Sequence, residues 1–67
     1  MKTVLFYPHS IQEVAKFQGL LNSSDYYGEW NPMSLRFEFR EEAELAFQLQ
    51  NDLQELAGDI NGHFEIE

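Results

Sequence analysis

The sequence predicts an α+β domain whose elements follow the order β-α-β-β-α-β. Three observations point there. Short runs of β-branched and aromatic residues look like strands, two longer segments repeat apolar residues at helical spacing, and turn residues stand at the joints.

"KTVLFYP", residues 2–8, is an apolar run stopped by Pro8 and reads as the first strand. In "SIQEVAKFQGLLN", residues 10–22, Ser10 followed three residues later by Glu13 forms a capping box, in which each side chain satisfies a free backbone N–H. Ile11, Val14, Ala15 and Leu21 recur at helical spacing behind it, so the segment is an amphipathic helix that the polar cluster "NSSD" ends. "YYGEW" and "SLRFEF" are two strand-like runs joined by "NPM", where Asn-Pro signals a turn, and together they predict a hairpin. Gly28 interrupts the first of these runs and marks it as the weaker strand.

Residues 41–57 predict a second helix, closed by Gly58 from the position just past its end. At 100° per residue, Leu45, Ala46, Leu49, Leu53, Leu56 and Ala57 fall on one side, with Ala43 and Phe47 at its margin. Glu41, Glu44, Gln48, Asp52 and Glu55 fall on the other. "NGHFEIE" ends the chain, with Phe64 and Ile66 alternating against His63, Glu65 and Glu67 as in a half-buried edge strand. This order is the split βαβ, or ferredoxin-like, arrangement: a four-stranded antiparallel sheet with two helices on one face.

At 67 residues the chain forms a single domain, residues 1–67. A chain this short buries only about 60% of the surface its unfolded form exposes, which leaves little room for a deep cleft. Without cysteine there is no disulfide or thiolate metal site to staple the fold, and ten aromatics carry the core instead. No apolar run is long enough to cross a bilayer or to act as a secretory signal, so a soluble, cytoplasmic protein is expected.

"SLRFEF" superficially resembles the third strand of RNA-recognition motifs, which share this topology and display aromatics for stacking on bases. Here Leu35, Phe37 and Phe39 share one side, with Arg36, Glu38 and Arg40 on the other. Turning the phenylalanines outward would bury three charges, at several kcal/mol per ion. The glycine-containing basic motif is absent, and a net charge of −8 opposes the counterion release that drives backbone binding. Direct nucleic-acid binding is not expected.

His9 and His63 match no metal-ligand spacing, and no phosphate loop, nucleophile elbow or Cys/His pair occurs. General acid catalysis needs a carboxyl desolvated in a pocket, for which so small a fold has little space. No enzymatic activity, cofactor or metal is expected.

Charge is the informative feature. Residues 1–40 balance four acids against four bases, whereas residues 41–67 carry eight acids and neither Lys nor Arg. Exposed helix faces ordinarily mix Lys with Glu to gain i,i+4 pairs, and the second helix forgoes them. Glu65 and Glu67 are expected to extend its negative surface. Carboxylates one helical turn apart approximate the separation of phosphates on a nucleic-acid strand, so a partner with a Lys/Arg groove could accept this helix in place of DNA or RNA. Tyr27 and Trp30 are candidate aromatic anchors.

In size, lack of cysteine, single-domain build and negative charge the chain resembles the small acidic inhibitors of phages and mobile elements, including anti-CRISPR and DNA-mimic anti-restriction proteins. That resemblance implies a stoichiometric inhibitor of a basic nucleic-acid-binding protein or complex in the host cell, such as a CRISPR-Cas complex. The expected partner-binding residues are Glu41, Glu44, Asp52, Glu55, Glu65, Glu67, Tyr27 and Trp30. Two other readings are compatible with the residues: a structural or regulatory domain, monomer or dimer, that self-associates through its sheet and uses its acids for solubility, and a small-ligand-binding regulatory domain of the same topology.

Overall fold

The computed structural model describes residues 1–67. Its elements are β1 (Lys2–Pro8), α1 (Ile11–Asn22), β2 (Glu29–Asn31), β3 (Arg36–Glu41), a 3-10 turn (Ala43–Leu45), α2 (Ala46–Ala57) and β4 (Gly62–Ile66). The four strands form one antiparallel sheet in the order β2-β3-β1-β4, the ferredoxin-like arrangement the sequence predicts. The two non-sequential neighbours of β1 follow from the crossovers made by the helices.

Strand alternation divides the sheet into two unlike faces. The register sets Phe6 opposite both Phe37 and Phe64, Val4 opposite Phe39 and Ile66, and Trp30 opposite Phe37, all on the helix-covered side. There they meet Phe17 and Leu21 of α1 and Ala46, Leu53 and Ala57 of α2 in one core cluster. Phe17 is its hub, with its ring 4.6 Å from Phe6 and 5.0 Å from Phe37. Each buried phenylalanine contributes about 1.5–3 kcal/mol by leaving water, and these rings replace the staples the chain lacks.

α1 begins where expected. Ser10 Oγ accepts from the Glu13 N–H at 3.4 Å, but the Glu13 carboxylate reaches across to the Asn61 N–H at 3.1 Å instead of turning back on Ser10. Half of the capping box forms, and its other half ties the helix start to the turn before β4. The buried face is also shifted from the expected one. Phe17 and Leu21 are buried and Val14 packs beside them, whereas Ile11 and Ala15 face solvent. Val14, Phe17 and Leu21 still follow i, i+3, i+7, so the helix has turned to seat its largest apolar side chain.

Tertiary pairing redraws two boundaries in the second half. Glu41 pairs with Lys2 as the last residue of β3, and α2 begins only at Ala46, after extended Glu42 and the 3-10 turn. The helix expected from residue 41 therefore loses its first turn to the sheet. Gly58 closes α2 as predicted, with φ at 57° and its N–H on the Gln54 carbonyl at 3.2 Å. Leu35, expected in the core beside Phe37 and Phe39, lies in the hairpin turn and is 62% exposed. Asn31 Oδ1 accepts from the Met33 and Ser34 N–H groups and forces the tight turn, leaving Leu35 left-handed at φ 55°. For a leucine that conformation costs about 1–2 kcal/mol.

Candidate functional site

The expected acidic surface is divided. Glu65 and Glu67 share the parity of His63 and lie on the sheet face away from the helices, whereas Asp52 and Glu55 stand on α2. The sheet separates the two sets, so the C-terminal strand does not extend the helix's negative surface. This corrects the continuous face inferred from sequence: the alternation that turns Phe64 and Ile66 inward turns Glu65 and Glu67 away from the helices.

Three acids gather at the start of α2. Glu41 Oε1 accepts from the Glu42 N–H at 2.8 Å, and Glu44 sits in the 3-10 turn, one turn before Gln48. α2 has no side-chain cap, and acids ahead of a helix favour its N-terminal dipole by about 0.3–1 kcal/mol each. Along α2 itself the polar side is richer in amides than in acids. Gln48, Gln50, Asn51 and Gln54 alternate with Asp52 and Glu55, and Gln48 Nε2 donates to Asp52 Oδ1 at 2.9 Å. Glu55 is exposed.

Apolar groups interrupt this acidic segment. Leu45 is 47% exposed and Phe47 is 74% exposed. Sequence placed Leu45 on the core side and Phe47 at its margin; the 3-10 turn takes Leu45 off the phase of α2, whereas Phe47, inside α2, stands one 100° step past buried Ala46 and beyond the face that Leu53 and Ala57 bury. Tyr27, 95% exposed, belongs to the same end of the molecule. A depression of about 200 Å³ is lined by Tyr27, Asp25, Glu41, Arg40, Leu49 and the Phe39 and Tyr26 rings. The structure thus brings Tyr27 and Glu41 together. Trp30 goes elsewhere: half-buried, its ring centroid stands 4.9 Å from that of Phe37, at the opposite end of the core from the Tyr27 groove.

The open sheet face carries a different arrangement. Arg36 Nε donates to Glu38 Oε2 at 2.8 Å, Asn31 Nδ2 donates to the same oxygen at 3.1 Å, and an Arg36 terminal nitrogen donates to Tyr7 Oη at 2.9 Å. Glu67 lies 4.0 Å from Arg36. Tyr7 stacks on His63, whose Nε2 is 3.0 Å from Glu65 Oε2. Beneath these side chains Leu5, flanked across strands by Glu38 and Glu65, is only 1% exposed although no helix covers it. Long polar side chains lay their stems over it and keep their charges in water. Ion pairing between Arg36 and Glu38 was legible from their shared parity, whereas the links to Tyr7 and Asn31 depend on strand register.

Hydrogen bonds donated by Arg36 and Asn31 hold the Glu38 carboxyl below its usual pKa, and those that Arg36 donates to Glu38 and Tyr7 hold its guanidinium above its own. A lowered carboxyl pKa contributes stability that is complete above the unfolded value, about 4.3, and is lost as pH falls through the folded one. Glu38→Gln should therefore be less stable than wild type at pH 7, and its melting temperature should fall less between pH 5 and pH 2. Thermal melts across that range check both differences, which solvent screening keeps small.

The broadest concavity, about 760 Å³ and open to solvent, lies on this sheet face between Tyr27, Glu29, Arg36, Arg40 and Glu67. No buried side-chain nitrogen or oxygen lacks a hydrogen-bond partner, and no three His, Asp or Glu side chains converge as metal ligands. No helix is long and apolar enough to cross a membrane.

Fold and surface together define a small, acidic, ferredoxin-like α+β domain with apolar side chains exposed beside its acids. No family model matches the chain, and no curated protein or solved structure matches it either.

Proposed function

We propose that this is a non-enzymatic protein-binding domain that docks the segment Glu41–Glu55 on a basic, nucleic-acid-binding surface of a partner and occludes it. The observation that carries the proposal is the exposure of Leu45 and Phe47 within a segment whose charges are all negative. Interfaces concentrate their binding energy in a few aromatic and apolar anchors inside a polar rim, and charge complementarity selects the partner and speeds encounter. Glu41, Glu44, Asp52 and Glu55 supply the charge. Phe47 and Leu45 supply anchoring, with Tyr27 beside Glu41. Glu65 and Glu67 fall outside this surface, and Trp30 serves the core. The resemblance to anti-CRISPR and DNA-mimic inhibitors makes a CRISPR-Cas complex or another nucleic-acid-handling assembly the target class.

The test compares wild type with the combined variant Glu41→Gln, Glu44→Gln, Asp52→Asn and Glu55→Gln in capture from host lysate. Wild type should retain a nucleic-acid-binding protein that added salt or competing nucleic acid releases. The variant should bind it more weakly by about fourfold or more, since each of four exposed charge pairs contributes about 0.2–1 kcal/mol. Its thermal stability should hold or rise as like-charge repulsion is relieved. Equal capture by both proteins would refute the proposal and leave the acids as a solvated surface.

A further inference from the structure

β4 is an edge of the sheet, and its hydrogen-bonding pattern divides its backbone into two sets. Thr3 and Glu67 exchange both of their N–H···O=C bonds, His9 donates to the Asn61 carbonyl, and the register continues through Leu5↔Glu65 and Tyr7↔His63. The odd-numbered residues of β4 therefore face β1. Gly62, Phe64 and Ile66 turn their N–H and C=O groups toward the open edge. The side chains of Phe64 and Ile66 lie on the helix side, where both remain half-buried. The other edge, β2, has three residues and is followed at once by Pro32, so it offers a poorer template.

We propose that β4 is a self-association edge whose occupant is the β4 strand of a second copy, antiparallel about a twofold axis at Phe64. Cross-strand pairing of an imidazole with a carboxylate selects this partner and register. With Phe64 opposite Phe64 of the second copy, Gly62 faces Ile66 and His63 faces Glu65, once on each side of the axis. The three residues with outward backbone groups then form hydrogen-bonded pairs, about six bonds in all. Sliding the pairing by two residues in one direction sets Glu65 against Glu65, and in the other His63 against His63. Both shifts lose backbone pairs and create like-charge or unmatched contacts. The central register also covers the exposed parts of Phe64 and Ile66 and joins two sheets into one of eight strands.

This surface is the backbone edge of β4, on which α2 packs, and not the exposed side of the docking segment, and its salt response has the opposite sign. Two copies of charge −8 repel each other, so screening should strengthen their association, whereas it weakens docking on a basic partner. Sedimentation velocity from micromolar to millimolar protein tests the proposal. Wild type should dimerise, more tightly as salt rises. His63→Glu should weaken the dimer about tenfold by setting like charges opposite each other, and adding Glu65→Lys to it should restore association. Ile66→Pro leaves the β1–β4 hydrogen bonds in place, removes an outward-facing N–H and trims one half-buried side chain, and should abolish the dimer while the far-UV circular dichroism of the monomer persists. A wild type monomeric over the whole range, or a dimer unaffected by His63→Glu or by Ile66→Pro, would overturn the proposal.

Discussion

Phe37→Ala should leave the domain largely unfolded at 25 °C. The ring is fully buried at the centre of the sheet's covered face, between Phe17, Trp30 and Phe6. Removing a buried phenylalanine costs about 3–5 kcal/mol, through lost transfer energy and the cavity left behind. A single core in a chain of this length supplies rarely more than about 3–5 kcal/mol in total, so the loss consumes most of the margin. Collapse around the cavity is limited, because three of the neighbours are themselves large rings. Urea titration followed by far-UV circular dichroism reads the change, with Phe37→Leu expected to retain a cooperative transition. Tyr27→Ala provides the contrast: an equally large truncation at a 95% exposed position should move stability by less than about 0.5 kcal/mol.

Gly62→Ala should destabilise by about 1–3 kcal/mol, the usual cost of forcing extra volume into a packed core. A Cβ at this position would stand 2.5 Å from Phe6 Cε1, 2.6 Å from Phe6 Cζ and 2.7 Å from the Tyr7 carbonyl oxygen. Movement of the Phe6 ring is hindered by the Phe17 and Phe64 rings, whose centroids lie 4.6 and 4.5 Å away. The carbonyl is strand backbone. Gly19→Ala is the matching control: within α1, nothing lies within 4 Å of the added carbon, and alanine should stabilise by about 0.5–1 kcal/mol. Opposite signs for the two substitutions in thermal melts would separate the steric demand at Gly62 from the general entropic effect of glycine. Equal signs would show that Phe6 can give way.

Gly62 also shows what a sequence pattern conceals. Asn61-Gly62 reads as a turn signal, and a turn does precede β4, but Gly62 itself is the first residue of the strand and is needed for close approach to Phe6. Gly28 behaves in the same way. It interrupts the expected second strand, and the reason is that a Cβ there would come within 2.3 Å of the Phe39 ring. In both cases the sequence marks the position, while the atom that demands glycine belongs to a strand distant in the chain.

The candidate surface was legible to a lesser degree than the fold. The clustering of acids after residue 40 is a property of composition and needs no coordinates. Its division into a helix-side group and a sheet-face group depends on which way β4 faces, and Glu41 and Glu44 moved off the α-helix because β3 extends to Glu41. Exposure of Leu45 was hidden by the 3-10 turn, which breaks the uniform 100° step on which a helical wheel relies, while Phe47, at the margin of the wheel, fell on the solvent side of α2.

By itself the sequence determined the element order, the strand character of residues 2–8, the N-cap at Ser10, the closure at Gly58 and the in-out alternation of β3 and β4. These follow from local causes: pleat and helix periodicities, caps and turn chemistry act within a few residues. Tertiary structure alone decided that Phe17 replaces Ile11 on the buried face of α1, that Leu35 is strained and exposed, that Glu41 belongs to a strand, and that Leu5 is buried beneath charged side chains. Leu35 follows from the Asn31 turn four residues before it; each of the other outcomes depends on a partner far away in sequence, where the free energy of packing outweighs the fraction of a kcal/mol that local propensity supplies.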